Sequence, residues 1–393
     1  MTTTTPPTPE SLLKDAAALA RGAKTLSRDA GSVRAAKQFE RVLQRVLSLS
    51  DPHESDVISM ALEALLQQDD EHAMDWLLEE IEIESELQYI QMGKTGKERA
   101  CLLFAIPVVM PASTAAPVTL PYSTHFETLH TILTDANVIG EDARFRLIPR
   151  LFTHEELRGR PFGDFMRLTR ELGRQLLERG ATDVQVDDTI FPPPVIALPP
   201  DASTPYVDLR YLIGILVTTH EGLETAFPAF DDDTYGSAGD SPDAGTTSLQ
   251  DEVIWQSEFA EVLEAWSGRM LGVLNVAPPV GFHEDLRFGL ELAREFNCRL
   301  HFQSVLDGAG LGVDDVAIAE VPFSSDGQDV CGITLALLNA GDEELDTAVW
   351  PALAHEELDD AVDKLHDLLT QMGFAAADEL FSCDTVSPSY LLH

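Results

Sequence analysis

The sequence predicts an α+β protein: a helical N-terminal region followed by two related α+β units with mixed sheets. Three observations carry this expectation. Apolar residues recur at helical spacing through residues 9–92, short apolar or alternating runs follow from residue 100, and one helix-plus-strand segment occurs twice. In that repeat, PFGDFMRLTRELGRQL (161–176) aligns with GFHEDLRFGLELAREF (281–296). Phe162/Phe282, Arg167/Arg287, Glu171/Glu291, Leu172/Leu292 and Arg174/Arg294 match, and Asp164 faces Glu284. Downstream, VIALPPDASTPYVDLRYLIGILV (195–217) resembles VAIAEVPFSSDGQDVCGITLALL (316–338), each a pair of apolar runs around a proline-containing turn. An internal duplication of this kind fixes architecture without naming a reaction.

The resulting organisation is a threonine–proline tail (1–8), a helical region (9–93), a first α+β unit (94–219), an acidic linker (220–252), a second unit (253–345) and a C-terminal helix and tail (346–393). Within the helical region, Val33, Ala36, Phe39, Val42/Leu43 and Val46 form one apolar face. Asp51-Pro52 breaks the chain, and further helices are expected over 53–67 and 70–90. Ala100–Pro111 reads as a strand buried on both faces. A helix over 124–135 follows, and Ala143–Phe152 then alternates, with Phe145, Leu147 and Leu151 opposite Arg144, Arg146 and Arg150. Beyond the Asp/Gly/Ser-rich linker, a helix over 251–266, a strand over 270–276 and a helix over 355–372 complete the expectation.

Composition bounds function. The 393 residues carry a net charge of −41, which repels nucleic-acid phosphates and anionic membranes over most of the surface. Residues 1–50 are the exception, with eight Lys/Arg against four Asp/Glu, which leaves −45 for the rest. No secretory signal is legible in MTTTTPPTPE, and prolines 107, 111 and 117 interrupt the longest apolar stretch, so a cytoplasmic location away from the membrane is expected. Four dispersed cysteines without a CxxC pair give no zinc or redox motif.

Chemistry-bearing motifs are incomplete. Gly93-Lys94-Thr95 lacks the first phosphate-loop glycine, since Gln88 stands there, and follows a helix rather than a strand. DGAGLGVDD (307–315) has Val313 where a dinucleotide fingerprint needs its third glycine, and reads as a turn. His154-Glu-Glu and His355-Glu-Glu are not HExxH and read as acidic helix starts. No GxSxG elbow occurs. No cofactor, metal or catalytic set follows from these residues.

Two basic clusters remain. Arg144, Arg146 and Arg150 on one strand face, with Arg158 and Arg160 beyond, form an Arg-only island able to hold a small anion or to neutralise the protein's own acids. Arg34, Lys37, Arg41 and Arg45 form a stripe on one helix that suits an interaction surface or a solvated face. With RYLIGILV (210–217) and DTAVWPAL (346–353), the order of elements over about residues 95–355 resembles a bacterial family catalogued only as a domain of unknown function. That resemblance implies no activity and no catalytic residues. Three readings stay open: a non-catalytic protein-interaction or regulatory module, an enzyme or binding protein for a small anion, and an acidic mimic of nucleic acid.

Overall fold

The computed structural model describes residues 7–29, 31–50, 52–91, 96–112, 118–119, 125–140, 143–179, 206–223, 225–227, 246–268, 271–324 and 330–374. The N-terminal helices follow from their apolar stripes. Helix α1 (Pro9–Leu26) starts on Thr8, whose side chain accepts from Ser11 N, with Pro9 in the first turn where its missing N–H costs nothing. Leu12, Ala16, Leu19, Ala23 and Leu26 form its buried face. It packs with α2 (Val33–Val46), α3 (His53–Leu66) and α4 (Glu71–Glu86) through Phe39, Val42, Val57, Ala61, Leu65, Leu77 and Ile81. The helix expected to reach residue 90 ends at Glu86. Leu87–Gln91 is instead a strand, β1, because its backbone pairs with Leu102–Glu98 of the next strand.

That next strand, β2 (Glu98–Pro111), is the centre of the fold. Phe104, Ile106, Val108 and Met110 face one core; Cys101, Leu103, Ala105 and Val109 face another. Burial on both faces explains its unbroken apolar run. The remaining strands of the sheet are β3 (Val118–Thr119), β4 (Arg144–Thr153), β5 (Val207–Thr218) and β6 (Asn275–Val276). Their order is β1-β2-β5-β4-β3, with β6 beside β1 on the outer edge of β2. Helices α5 (His125–Asp135) and α8 (Thr246–Ser267) cover one face through Phe126, Leu129, Trp255, Phe259 and Trp266. Between β4 and β5 run the single turn α6 (His154–Leu157) and α7 (Phe162–Arg179). Helices α7 and α9 (Phe282–Ala309) cover the other face through Phe165, Leu168, Leu172, Phe282, Leu286 and Leu290.

A second sheet of three strands, β7 (Val316–Ser324), β8 (Val330–Asn339) and β9 (Glu344–Pro351), follows. The C-terminal half of α9 and helix α10 (Leu358–Gln371) cover it, burying Phe302, Leu306, Leu335, Leu337, Trp350, Leu365 and Leu368. The 28-residue α9 thus spans from one sheet to the other. It runs thirteen residues past the aligned segment 281–296 and ends on Gly310, at φ +67°. Among the described residues there are ten helices, and every strand pairing is antiparallel.

Two expectations need correction. The sheets are antiparallel, not mixed. Strands β2 and β4 do run the same way, as two successive strand–helix units require, but β5 inserts between them and runs against both. The internal duplication is not carried into the structure either. The first apolar run of the expected earlier pair (195–205) lies outside the described residues, and β5 is a central strand, whereas β7 and β8 form a hairpin in another sheet. Matched residues also differ in environment: Arg174 is half exposed beside Glu171, whereas the Arg294 side chain is 4% exposed. An amphipathic helix with regularly placed charges suffices to produce those matches. The linker expected over 220–252 contains the start of α8 at Thr246, and residues 228–245 lie outside the described set.

Tight helix seating makes a glycine prediction. A Cβ on Gly163 would overlap the Leu47 carbonyl oxygen and approach Glu54 Oε2 to 2.6 Å, whereas one on Gly308 meets nothing within 4 Å. Gly163→Ala is expected to destabilise by about 1–3 kcal/mol despite its better helix propensity. Gly308→Ala is expected to stabilise by about 0.5–1 kcal/mol. Urea melts of the two variants check the opposite signs.

Candidate functional site

Where the N-terminal helices meet α7 and α9, carboxylates replace absent helix caps. Gly163 N donates to Glu54 Oε1 at 2.9 Å, and Phe282 N and His283 N donate to Glu86 Oε2 at 2.9 and 3.0 Å. Two glutamates of the N-terminal helices therefore bind the first turns of both helices on that sheet face, where the dipole favours negative charge. Glu54 is 1% exposed, and no donor reaches its Oε2 among the described residues. Burial pushes both carboxyl groups up to about 7.

Alongside, Ser85 Oγ and His283 Nε2 lie 2.7 Å apart, the spacing of a nucleophile and its base. The chemistry runs the other way. The Ser85 hydroxyl donates to the Glu82 carbonyl at 2.7 Å, so His283 Nε2 donates to Ser85 and holds no lone pair towards it. Ser85 is fully buried, and the imidazole sits against Phe162, Phe165 and Phe282, its pKa lowered by burial to about 3. This pair ties α4 to α9.

Asp285 has a related role. Strand β1 pairs with β2 at Glu98–Leu102 and β6 pairs at Val108–Val109, which leaves the edge between them unpaired. Ala105 N donates to Asp285 Oδ2 at 3.0 Å, and Val280 N donates to Oδ1 at 2.8 Å. The carboxyl group is completely buried, which raises its pKa well above the usual range. It satisfies a donor that would otherwise be stranded in the core.

The long helix also carries a buried ion pair. Arg294 donates to both carboxylate oxygens of Glu356 at 2.6 and 2.9 Å and to Pro351 O at 2.8 Å, with its guanidinium 4.1 Å from the Trp350 ring. Lys364 bridges Glu356 and Glu291. Burial would raise Glu356, but hydrogen bonding to and the charge of Arg294 outweigh it and bring the carboxyl group down to about 2. The segment expected as an acidic helix start at His355 is thus a connector whose Glu356 is spent internally, and α10 begins at Leu358. The earlier segment, His154–Leu157, is a helix start with a Thr153–Glu156 capping box.

The five arginines proposed for an anion separate. Arg144 and Arg158 are exposed, Arg146 is buried with its guanidinium 3.6 Å from the Phe126 ring centroid, and Arg150 pairs with Glu156. Arg160 Nε donates to the Glu156 carbonyl at 2.6 Å. A break in register between Leu147 and Leu151 interrupts the alternation expected along β4. Glu156 accordingly gathers two of the five.

The helix stripe has another fate. Arg45 pairs with Asp15 of α1, while Arg34, Lys37 and Arg41 are exposed and make no ion pair among the described residues. Lys14 and Arg21 of α1 share that condition, which is not legible in the sequence because only the packing of α1 on α2 brings the two rows of charge together. Gly93-Lys94-Thr95 lies outside the described residues, between strands β1 and β2. DGAGLGVDD closes α9 and leads into β7 as a turn. No described helix is long and apolar enough to cross a membrane.

These features define an α+β protein whose buried charges are used to fasten helices and whose first two helices carry a group of exposed cations without ion pairs among the described residues. The chain belongs to the family described as "Protein of unknown function (DUF2863)", which it matches over residues 4–223, more than half its length. The match includes α1–α4, which the expected resemblance over 95–355 left out, and ends just past β5. No curated protein and no solved structure matches the chain.

Proposed function

We propose that this protein is a non-catalytic, cytoplasmic protein-interaction module that meets its partner through the N-terminal helices. The observation that carries this reading is the concentration of exposed cations on one helix pair: Lys14, Arg21, Arg34, Lys37 and Arg41 are exposed and make no ion pair among the described residues, whereas elsewhere Arg150 and Arg294 are held by the Glu156 and Glu356 carboxylates and only the separated Arg144 and Arg158 are exposed in the arginine island. An arginine already held by the protein's own carboxylate offers little to a ligand, while an exposed cation retains its full field towards a partner. The Ser–His pair adds no support for catalysis, since its hydroxyl proton points inward and its imidazole is sealed among aromatic rings.

Native mass spectrometry of the protein captured gently from its host tests this reading. The expected spectrum shows a stoichiometric protein partner. A retained small anion that disappears when Arg146 and Arg150 become alanine would instead establish the ligand-binding alternative.

A further inference from the structure

Helices α1 and α2 enclose a groove of about 140 Å³ lined by Ala18, Arg21, Gly22, Ala35, Gln38 and Phe39, among others. Its floor is made by close approach: a Cβ on Gly22 would come within 2.6 Å of the Phe39 ring. Its rims are cationic for reasons of helical spacing. Lys14, Ala18, Arg21 and Thr25 follow at alternate steps of four and three on α1, with Arg28 just past its end, and Arg34, Gln38, Arg41 and Arg45 do so on α2. At the ends, ion pairs hold the charges: Arg28 with Asp70 and Arg45 with Asp15. Between them, Lys14, Arg21, Arg34 and Arg41 are exposed and unpaired among the described residues.

Resting on the interaction reading, we infer that this groove receives an acidic segment of a partner protein, which seats an apolar side chain on the Ala18–Gly22–Ala35 floor and sets carboxylates on Arg21, Arg34 and Arg41. Charge complementarity selects the sign, because Arg21 lines a small depression of mixed polarity, and Lys14, Arg34 and Arg41 share its helix faces, in a chain otherwise at −45 beyond residue 50. Peptide is favoured over nucleic acid. The groove's one aromatic, Phe39, is 5% exposed and offers no platform for base stacking, and the acidic remainder repels a phosphate backbone. Arginine also supplies paired N–H donors that match a carboxylate.

The test pans displayed random peptides on the full-length protein and measures an enriched peptide by fluorescence anisotropy. Enriched sequences should place Asp or Glu around an apolar residue. Combined Arg21→Glu, Arg34→Glu and Arg41→Glu should weaken binding at least about tenfold. Ala35→Leu, which fills the floor without changing charge, should weaken it as well, with circular dichroism and thermal melts showing both variants folded. Enrichment of neutral or basic sequences, or no enrichment, overturns the inference. Binding that Ala35→Leu leaves unchanged also overturns it, since that is general attraction between charges. A host partner captured equally by wild type and by both variants removes the groove but keeps the interaction reading. Acidic peptides selected on the groove with no partner captured from the host would do the reverse.

Discussion

Glu356→Ala is expected to cost about 3–5 kcal/mol, because it strands a buried guanidinium. The Arg294 and Glu356 side chains are 4% and 2% exposed, and among the described residues Arg294 without the carboxylate retains Pro351 O and the Trp350 face. Lys364, 40% exposed, also touches Glu356 and Glu291, but its removal leaves the Arg294–Glu356 pair intact, so Lys364→Ala should cost about 1 kcal/mol or less. Guanidinium melts give the two magnitudes, and hydrogen exchange should show the loss concentrated in β9 and the second half of α9. A Glu356→Ala cost near that of Lys364→Ala would mean that water reaches Arg294. The pair's pH dependence follows from its lowered carboxyl pKa. Its contribution is complete above about 4.5 and is lost as pH falls towards about 2.

The second large effect has the opposite sign. Glu54 and Glu86 titrate near 7 in the folded protein against 4.5 when free of the fold. The folded state therefore binds protons that the unfolded state has released, and stability falls as pH rises from about 4.5 through 7. His283 works against this trend: its folded value of about 3 means that its contribution is present above 6.5 and lost as pH falls. A variant isolates the carboxylate. Glu54→Gln should match wild type near pH 5 and exceed it near pH 8, the gap changing by on the order of 2–3 kcal/mol. Denaturation midpoints measured across that range give the comparison. Parallel curves for the two proteins would show that Glu54 does not titrate in the fold.

Much of the architecture was legible locally. The apolar stripe of α2 is buried at Phe39, Val42, Leu43 and Val46 as its spacing requires, although its first member, Val33, is 67% exposed. The run ACLLFAIPVVMP is a strand between two cores, and Phe126, Leu129, Ile132 and Leu133 are the inner face of α5. These features depend on the period of one element, which neighbouring residues carry by themselves. Strand β1 escaped notice because its glutamate-rich approach continues a helical pattern, and only the free edge of β2 makes an extended chain preferable there.

The site was less legible. The stripe of Arg34, Lys37, Arg41 and Arg45 could be read, yet its division into one bound and three free cations depends on Asp15 of another helix. In the same way, Arg174 and Arg294 look equivalent in an alignment and differ wholly in environment, because Glu356 meets only the second. The caps at Gly163, Phe282 and His283 come from residues 109, 196 and 197 positions away.

By itself, then, the sequence determined the α+β class, most helices, the doubly buried central strand and the strong acidity with its basic N-terminal exception. Tertiary structure alone decided that β5 runs between β2 and β4, that both sheets are antiparallel, and which charges are spent inside the fold. The reason is range. Periodicity is set by the repeat of a single helix or strand, whereas strand order and charge pairing depend on which distant segments share a low-dielectric interior.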